Sequence, residues 1–167
     1  MNKDLYVVMG VSGSGKTAIG SALARSLGVE FVEGDDFHPE ENVKRMASGI
    51  PLTDEDRAPW LHSIGARLRA AKNAGTGLVV SCSALKRSYR DLLRAEAGKV
   101  RFIFLKGARA LIAERLASRS GHFMPQSLLD SQFAALEAPE ADEGVWECDV
   151  RESLPDLVAA LVSRAST

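Results

Sequence analysis

The sequence predicts an α/β fold of three layers (α/β/α), with helices on both faces of a five-stranded parallel sheet. The main observation is a regular alternation of short apolar runs with helix-forming stretches, which is typical of parallel sheets with helical crossovers. A second is the glycine-rich turn at Gly10–Thr17, between the first apolar run and the first helical stretch. A third is the length of 167 residues, which suits a single domain over residues 1–167.

The individual elements follow from residue patterns along the chain. The strands are predicted from apolar runs at 5–9, 29–33, 77–82, 100–105 and 145–150. The helices are predicted at 17–27, 39–48, 54–73, 87–97, 108–118, 125–136 and 154–164. In the first helix, Ile19, Leu23 and Leu27 recur every four residues and so share one face. Ligands of such folds bind beyond the carboxyl ends of the strands, so the loops there hold the candidate site residues.

The turn after the first strand fits the pattern Gly, four residues, Gly-Lys-Ser/Thr without a mismatch. In the context strand, turn, helix, this pattern predicts a phosphate-binding P-loop. Its glycines let backbone N–H groups converge on a phosphate chain, and the helix adds its positive end. We expect Lys16 to reach the β- and γ-phosphates of a nucleotide and Thr17 to ligate Mg²⁺. The predicted nucleotide-binding residues of the turn are Gly10, Ser12, Gly13, Ser14, Gly15, Lys16 and Thr17.

A dinucleotide-binding turn is the competing interpretation of the same residues. The stretch from Gly13 to Ala18 also fits Gly-x-Gly-x-x-Ala, and Asp35 and Asp36 follow about 20 residues on. The pair Lys16-Thr17 favours the P-loop, because a dinucleotide turn does not need it.

Bulk composition excludes several classes of partner. A net charge of −1 gives no basic field for nucleic acid. The longest apolar stretches are far too short to span a membrane, and no secretory signal fits the N-terminus, so we expect a cytoplasmic protein. Cys82 and Cys148 are far apart in sequence, which favours two buried thiols over a metal site.

Acidic residues and a histidine follow the second predicted strand. Asp35 is the candidate catalytic carboxylate, which either accepts the proton of an attacking hydroxyl or holds Mg²⁺ through water. Asp36 is expected to cap the next helix instead. His38 is a candidate donor to a substrate hydroxyl or carboxylate, and a packed loop histidine is the equal alternative.

Three cations further along the chain suggest an anionic substrate. Arg57 lies one turn into a helix that starts at Thr53 or Asp54, and arginine suits bidentate recognition of a carboxylate. A surface ion pair with an acidic neighbour is the alternative. Lys86 and Arg87 follow the third strand at the start of a helix, where cations are unfavourable unless an anion comes there.

Arginines after the fourth strand predict a lid at about 119–126. Arg115 and Arg119 are four residues apart and lead into a glycine-containing segment. Closure would bring their charge to the transferring phosphoryl group and exclude water. A solvated helix face is the alternative.

Taken together, these motifs resemble the gluconokinases, small P-loop kinases with an adenylate-kinase-like or shikimate-kinase-like fold. The resemblance extends from Val7 to about Glu143 and includes segments beyond the P-loop. These segments are Gly34-Asp-Asp-Phe-His-Pro39, Lys44-Arg-Met-Ala-Ser-Gly-Ile-Pro-Leu52, Asp54-Glu-Asp-Arg-Ala-Pro-Trp60, Cys82-Ser-Ala-Leu-Lys-Arg87, Tyr89-Arg-Asp-Leu-Leu-Arg94, Gly121-His-Phe123 and Gln132-Phe133. The Asp56-Arg57 segment, the Cys82–Lys86 run and His122-Phe123 together are much more specific than the P-loop.

The resemblance implies ATP- and Mg²⁺-dependent phosphorylation of D-gluconate at its terminal hydroxyl, in a homodimer. It implies catalytic roles for Lys16, Asp35 and Arg119, with Arg115 and Arg119 as nucleotide-binding lid arginines. The substrate pocket it implies consists of Asp35, His38, Arg57, Lys86 and Arg87, and the metal ligands of Thr17 and Asp35.

The sequence departs from the usual P-loop pattern in one respect. Neither the third nor the fourth strand ends in an aspartate that would hold Mg²⁺ through water, so Asp35 is the best candidate for that role. A related kinase acting on shikimate or a nucleoside monophosphate is the alternative enzyme. A GTP-dependent switch is disfavoured because the base-reading Asn-Lys-x-Asp motif is missing.

Overall fold

The computed structural model describes residues 2–118 and 126–166, except for the side chains of Gln126 and Ser127. The described residues form one parallel sheet of five strands in the order β2-β3-β1-β4-β5. The strands are β1 (Leu5–Met9), β2 (Glu30–Glu33), β3 (Leu78–Ser81), β4 (Arg101–Lys106) and β5 (Trp146–Asp149). The predicted α/β class and parallel sheet are confirmed.

The helices lie within one or two residues of their predicted limits. They are α1 (Lys16–Leu27), α2 (Glu40–Ala47), α3 (Asp54–Ala74), α4 (Arg87–Ala97), α5 (Arg109–Ala117), α6 (Gln126–Ala135) and α7 (Leu154–Ala165). Thr53, not Asp54, is the N-cap of α3, and it forms a capping box with Asp56.

One local prediction was wrong. Asp36 does not cap α2, because residues Gly34–Phe37 form a short 3-10 helix and Pro39 occupies the N-cap position without a side-chain hydrogen bond. The tight turn keeps Asp36 within its own 3-10 helix, away from the first N–H groups of α2.

Side-chain alternation in β1 defines the two apolar layers. Leu5, Val7 and Met9 pack on the face that α3 and α4 cover, whereas Tyr6 and Val8 pack on the face covered by α1 and α7. A strand buried on both faces has no polar side, which explains why β1 is an uninterrupted apolar run.

A third, smaller cluster lies beyond the sheet. Val11, Leu85, Ile112 and Leu129 are its buried members. It joins the turn after β1, the loop after β3, and helices α5 and α6. These helices are thereby fixed next to the loops that carry the candidate site.

The carboxyl ends of β1, β2 and β3 lie side by side because the strands are parallel neighbours. Contact between the last two is close: a Cβ built on Gly34 would lie 1.9 Å from the Ser81 carbonyl oxygen. Only glycine fits there, and this close approach sets the position from which Asp35 leaves the sheet.

The predicted lid at 119–126, with Arg119, lies outside the described residues except for Gln126, which begins α6. Within the described ranges, no helix is long and apolar enough to cross a membrane.

Candidate active site

The turn between β1 and α1 has the backbone of a phosphate cradle. Gly13 and Gly15 have φ angles of 83° and 99°, in the region that favours glycine. A Cβ on Gly13 would lie 2.6 Å from Leu116, whereas one on Gly15 would meet nothing within 4 Å. The loop is therefore packed on its inner side and open on the other, as phosphate access requires.

Polar groups of the loop hold its curvature. The Lys16 ammonium donates to the Gly10 and Val11 carbonyls, each at 3.0 Å, and the buried Ser14 hydroxyl donates to Val11 O at 2.7 Å. Lys16 therefore lies against the same loop whose N–H groups would hold a phosphate chain.

A cavity of about 370 Å³ adjoins the loop at Ser14 and Gly15, on the side of the β5–α7 turn. Arg115 lines it and donates to the Val150 carbonyl at 2.7 Å. This hydrogen bond fixes the guanidinium against the turn, so the predicted nucleotide-binding Arg115 does lie beside the phosphate loop.

Glu33, the last residue of β2, is a site residue that the sequence reasoning missed. Its carboxylate accepts hydrogen bonds from the hydroxyls of Thr17 and Ser81, the latter at 2.5 Å. The ends of β3 and β4, where a metal-holding acid is usual in P-loop proteins, carry Ser81 and Lys106 instead. Ser81 stands at the end of β3, and it orients the acid that the neighbouring strand supplies. A carboxylate at the end of the second strand, directly before Gly34-Asp35, was the available signal.

Asp35 lies in the short 3-10 helix after β2, and it is exposed although neighbouring protein partly desolvates its carboxyl. Desolvation raises the pKa of Asp35, and the negative charges of Glu33 and Asp36 raise it further, while Lys16 opposes them. The structure thus brings the candidate base together with the candidate phosphate-binding lysine.

His38 stacks on the buried Trp60 ring, with the centroids 4.0 Å apart. The Asn42 amide nitrogen donates to Asp56 O at 2.9 Å, which identifies it as the nitrogen of the amide. Because an amide nitrogen only donates, His38 Nδ1, 3.4 Å away, must be the acceptor. Burial lowers the pKa of His38 to about 4, with the Arg57 charge contributing. His38 is therefore a neutral ring with its proton on Nε2, which makes it a hydrogen-bond donor.

Arg57 and Lys86 both contact Tyr89. Arg57 donates to the Tyr89 hydroxyl at 3.0 Å, and both cations lie over its ring, at 5.6 and 5.8 Å from the centroid. Both also line an open cavity of about 500 Å³ together with Leu52, Asp54 and Ser131. The structure thus groups two of the three predicted substrate cations.

An acidic residue of the chain already pairs with one of these two cations. Asp54 accepts from Lys86 Nζ at 2.9 Å and from the Tyr89 hydroxyl. The hydrogen bond from Tyr89 lowers the pKa of Asp54 most, and the one from Lys86 lowers it further. In turn, the hydrogen bond to Asp54 raises the pKa of Lys86. The anion expected at the start of α4 is thus an internal carboxylate.

Arg87 does not join the other cations. Its guanidinium forms two hydrogen bonds with Asp142, at 3.1 and 2.6 Å, and also approaches Asp91. Because it lies one residue after Lys86 in the first turn of α4, its side chain leaves the helix in a different direction. Its role as a substrate ligand stays a prediction, without support from these contacts.

Arg90 was part of the family motif but had no assigned role. It is fully buried, it donates to the Ala84 and Leu85 carbonyls at 2.9 and 3.1 Å, and it pairs with Glu143. Arg90 thereby fixes the loop that carries Lys86, including Ala84 with its positive φ of 43°. The hydrogen bonds from Arg90 and Arg94 lower the pKa of Glu143 to about 2.

The chemistry of the donor atoms suits a hard cation. Among the described residues, no group of three or more His, Cys, Asp and Glu could hold a metal ion. Thr17 and Glu33 nevertheless offer adjacent oxygens beside the phosphate loop, and Mg²⁺ typically takes only one or two protein ligands besides phosphates and water. Cys82 is buried, and desolvation raises its pKa to about 12, which makes it an inert core thiol as predicted.

Comparison with known proteins agrees with this geometry. The protein-family model described as "AAA domain" matches residues 5–139. The chain is 51% identical to a gluconokinase of Gluconobacter oxydans over 91% of its length and 85% of that protein. It is 50% identical to the thermosensitive gluconokinase of Escherichia coli K12, over 86% and 76% of the two chains.

The chain belongs to the gluconokinase family. A crystal structure of a gluconokinase from Sinorhizobium meliloti matches this gluconokinase-family fold with a TM-score of 0.89 at 48% identity, over 98% of this chain and 92% of the other. The P-loop kinase architecture predicted from the sequence is thereby confirmed.

Proposed function

We propose that this protein transfers the γ-phosphoryl group of ATP to the terminal hydroxyl of D-gluconate, forming 6-phospho-D-gluconate and ADP. The single observation that carries the proposal is that Asp35 lies near enough to the P-loop Lys16 for the ammonium charge to act on its carboxyl, in a chain whose relatives are gluconokinases. The cation pair Arg57 and Lys86 supports an acceptor with a carboxylate.

On the donor side, the backbone N–H groups of Gly13–Thr17 and the Lys16 ammonium hold the phosphates. The cavity at Ser14, Gly15 and Arg115 accommodates the nucleoside. Arg119 is proposed as the second arginine on the phosphoryl group. Mg²⁺ neutralises charge on the β- and γ-phosphates when bound. Thr17 would hold the metal directly, with Glu33 accepting from its hydroxyl, and Asp35 would hold it only through water.

On the acceptor side, Asp35 accepts the proton of the attacking hydroxyl. The oxygen forms a bond to the γ-phosphorus while the bond from that phosphorus to the β-bridging oxygen breaks, and ADP leaves. A raised pKa makes Asp35 a stronger base than an ordinary aspartate. His38 Nε2–H, set by Asn42, donates to a substrate hydroxyl.

Arg57 and Lys86 bind the carboxylate of the acceptor. Lys86 exchanges its internal partner Asp54 for the substrate, so the cation is neutralised in both states. Asp54 thus keeps Lys86 paired until the acceptor arrives.

The test is an ADP-release assay with gluconate, shikimate and AMP as acceptors. We expect turnover with gluconate and background rates with the others. Turnover with another acceptor but not with gluconate would overturn the substrate assignment. The proposed homodimer is measured separately by analytical ultracentrifugation.

The metal site has its own test in Glu33→Gln. Since the neutral amide loses the charge beside Thr17, the Mg²⁺ concentration for half-maximal activity should rise by about tenfold, while KM for gluconate stays within about twofold. Glu30→Gln at the opposite end of β2 is the control, because Glu30 pairs with Arg67. An unchanged Mg²⁺ requirement in Glu33→Gln would contradict the role.

A further inference from the structure

Gln132, on α6, contacts the phosphate loop across 120 residues of sequence. Its Oε1 accepts a hydrogen bond from the Ser12 backbone N–H at 2.7 Å, and its Nε2 donates to Ser12 Oγ at 3.0 Å. A side-chain amide that both accepts from and donates to one residue fixes that residue's backbone and its hydroxyl together. The contact acts on the third residue of the Gly10–Thr17 turn.

Apolar packing around this contact limits the freedom of the amide. Leu129, one turn before Gln132 on α6, is buried with Val11 of the phosphate loop, and Leu116 and Phe133 pack against the same cluster. The hydrogen-bond pair therefore sits beside a packed interface. Such surroundings hold the side chain in one geometry, which a loose surface contact would not.

The same segment is attached to the acceptor side five residues later. The Glu137 N–H donates to Leu85 O at 2.8 Å, and its carboxylate accepts from the Arg87 N–H at 2.9 Å. Both partners flank Lys86. The segment 132–137 thus touches the donor loop at one end and the Lys86 loop at the other.

We propose that Gln132 is a positioning residue that holds the phosphate loop in its nucleotide-binding shape, and that the segment 132–137 couples this loop to the acceptor loop. The inference rests on the proposed function only in taking Gly10–Thr17 as the phosphate site. Without the amide, the Ser12 N–H loses its partner and the loop samples other conformations. The apparent affinity for nucleotide then falls in proportion to the fraction of molecules whose loop keeps the binding shape.

The decisive variant is Gln132→Met, which keeps the length and packing of the side chain but removes both hydrogen bonds. Asp130→Asn is the matched control on the same helix, because Asp130 pairs only with Arg109 in the described contacts. ADP and inorganic tripolyphosphate are titrated calorimetrically without gluconate. We expect the Kd of both to rise about tenfold in Gln132→Met, the scale of two lost hydrogen bonds, and to stay unchanged in Asp130→Asn.

Wild-type affinity of Gln132→Met for both probes would overturn the positioning role. Failure of the wild type to bind ADP would instead contradict the proposed function. Gluconate is titrated separately, without nucleotide. If Gln132→Met lost as much affinity for gluconate as for ADP, the result would show general damage to the site and would count against the proposal.

Coupling is measured as the ratio of the ADP Kd without gluconate to that with saturating gluconate. We expect a ratio of at least about five in the wild type and the Asp130→Asn control, within the usual range of coupling between sites, and a ratio near one in Gln132→Met. A merely structural role would lower stability but leave the ratio unchanged. A wild-type ratio near one would overturn the coupling.

Discussion

The donor half and the acceptor half of this site are constructed in opposite ways. The donor half is eight consecutive residues, Gly10–Thr17, and presents mainly backbone N–H groups shaped by glycines. The acceptor half is a set of side chains from separate segments, among them His38, Arg57 and Lys86, held by Trp60 and Tyr89. Local sequence is sufficient to recognise the first, whereas the second can be recognised only in the folded structure.

The two halves also differ in how they manage charge. Lys16 donates to neutral carbonyl groups of its own loop, and a bound phosphate chain would bring a full negative charge to it. Lys86 is already paired with Asp54. We therefore expect changes in the donor half to act mainly on the rate, and changes in the acceptor half mainly on substrate affinity.

Asp35→Asn should give the largest effect, because it removes the base at the junction of the two halves. We expect kcat to fall by about 10²–10⁴-fold in the ADP-release assay. Asp36→Asn is the control, since Asp36 lies one residue on and has no proposed contact with substrate. Similar losses in both variants would show a general effect of charge.

The same carboxyl also sets a pH dependence. Because the pKa of Asp35 is raised in the folded state, the acid limb of kcat/KM should lie above the ordinary aspartate value of about 3.9. A raised pKa favours folding at low pH, and this contribution is lost as pH rises through the folded-state value. Asp35→Asn should therefore unfold at the same or a higher temperature at pH 7.

Lys16→Ala tests the donor half itself. We expect phosphoryl transfer to fall by about 10²–10³-fold, with circular dichroism and Tm close to those of the wild type. Lys106→Ala is the control, because Lys106 is an exposed residue that pairs with Glu147. A near-normal rate in Lys16→Ala would contradict the P-loop role.

Arg57→Ala tests the acceptor half and should raise KM for gluconate by about tenfold to a hundredfold, the scale of charge-assisted hydrogen bonds. KM for ATP should change by less than about threefold. Arg69→Ala on the same helix is the control, since Arg69 pairs with Glu96. Equal changes in the two KM values would make Arg57 structural and break the division into halves.

The smallest effect is expected from the protonation of His38 near neutral pH, because the folded protein keeps its ring neutral. Its pKa of about 4 lies below its ordinary value of about 6.5, so its ring resonances in NMR spectra should not titrate between pH 5.5 and 8. The pKa is lowered and not raised because burial disfavours the charged ring. Titration of His38 near pH 6.5 would contradict the stacked, neutral state.

Sequence reasoning succeeded where a function depends on neighbours in the chain. The P-loop, the strand that precedes it and the helix start at Thr53 or Asp54 were all evident from spacing, because each depends on residues close together in the chain. It failed for Asp36 because the 3-10 turn at Gly34–Phe37 reflects the close contact between Gly34 and Ser81, on a different strand.

The remaining site residues required the tertiary structure. Glu33 ends the second predicted strand, but its contacts with Ser81 of β3 and Thr17 of α1 appear only in the folded structure. Pairing with Asp142 separates Arg87 from Lys86, which no spacing rule predicts.

The sequence by itself therefore determined the parallel sheet, the phosphate loop and the kind of chemistry that the loop supports. Short-range hydrogen bonds and the periodicity of apolar residues encode these features directly. Tertiary structure alone decided which charges are neutralised internally, which ring nitrogen of His38 carries the proton, and that Gln132 reaches Ser12. Those outcomes depend on distances between segments that are far apart in the chain, and only packing of the whole core sets such distances.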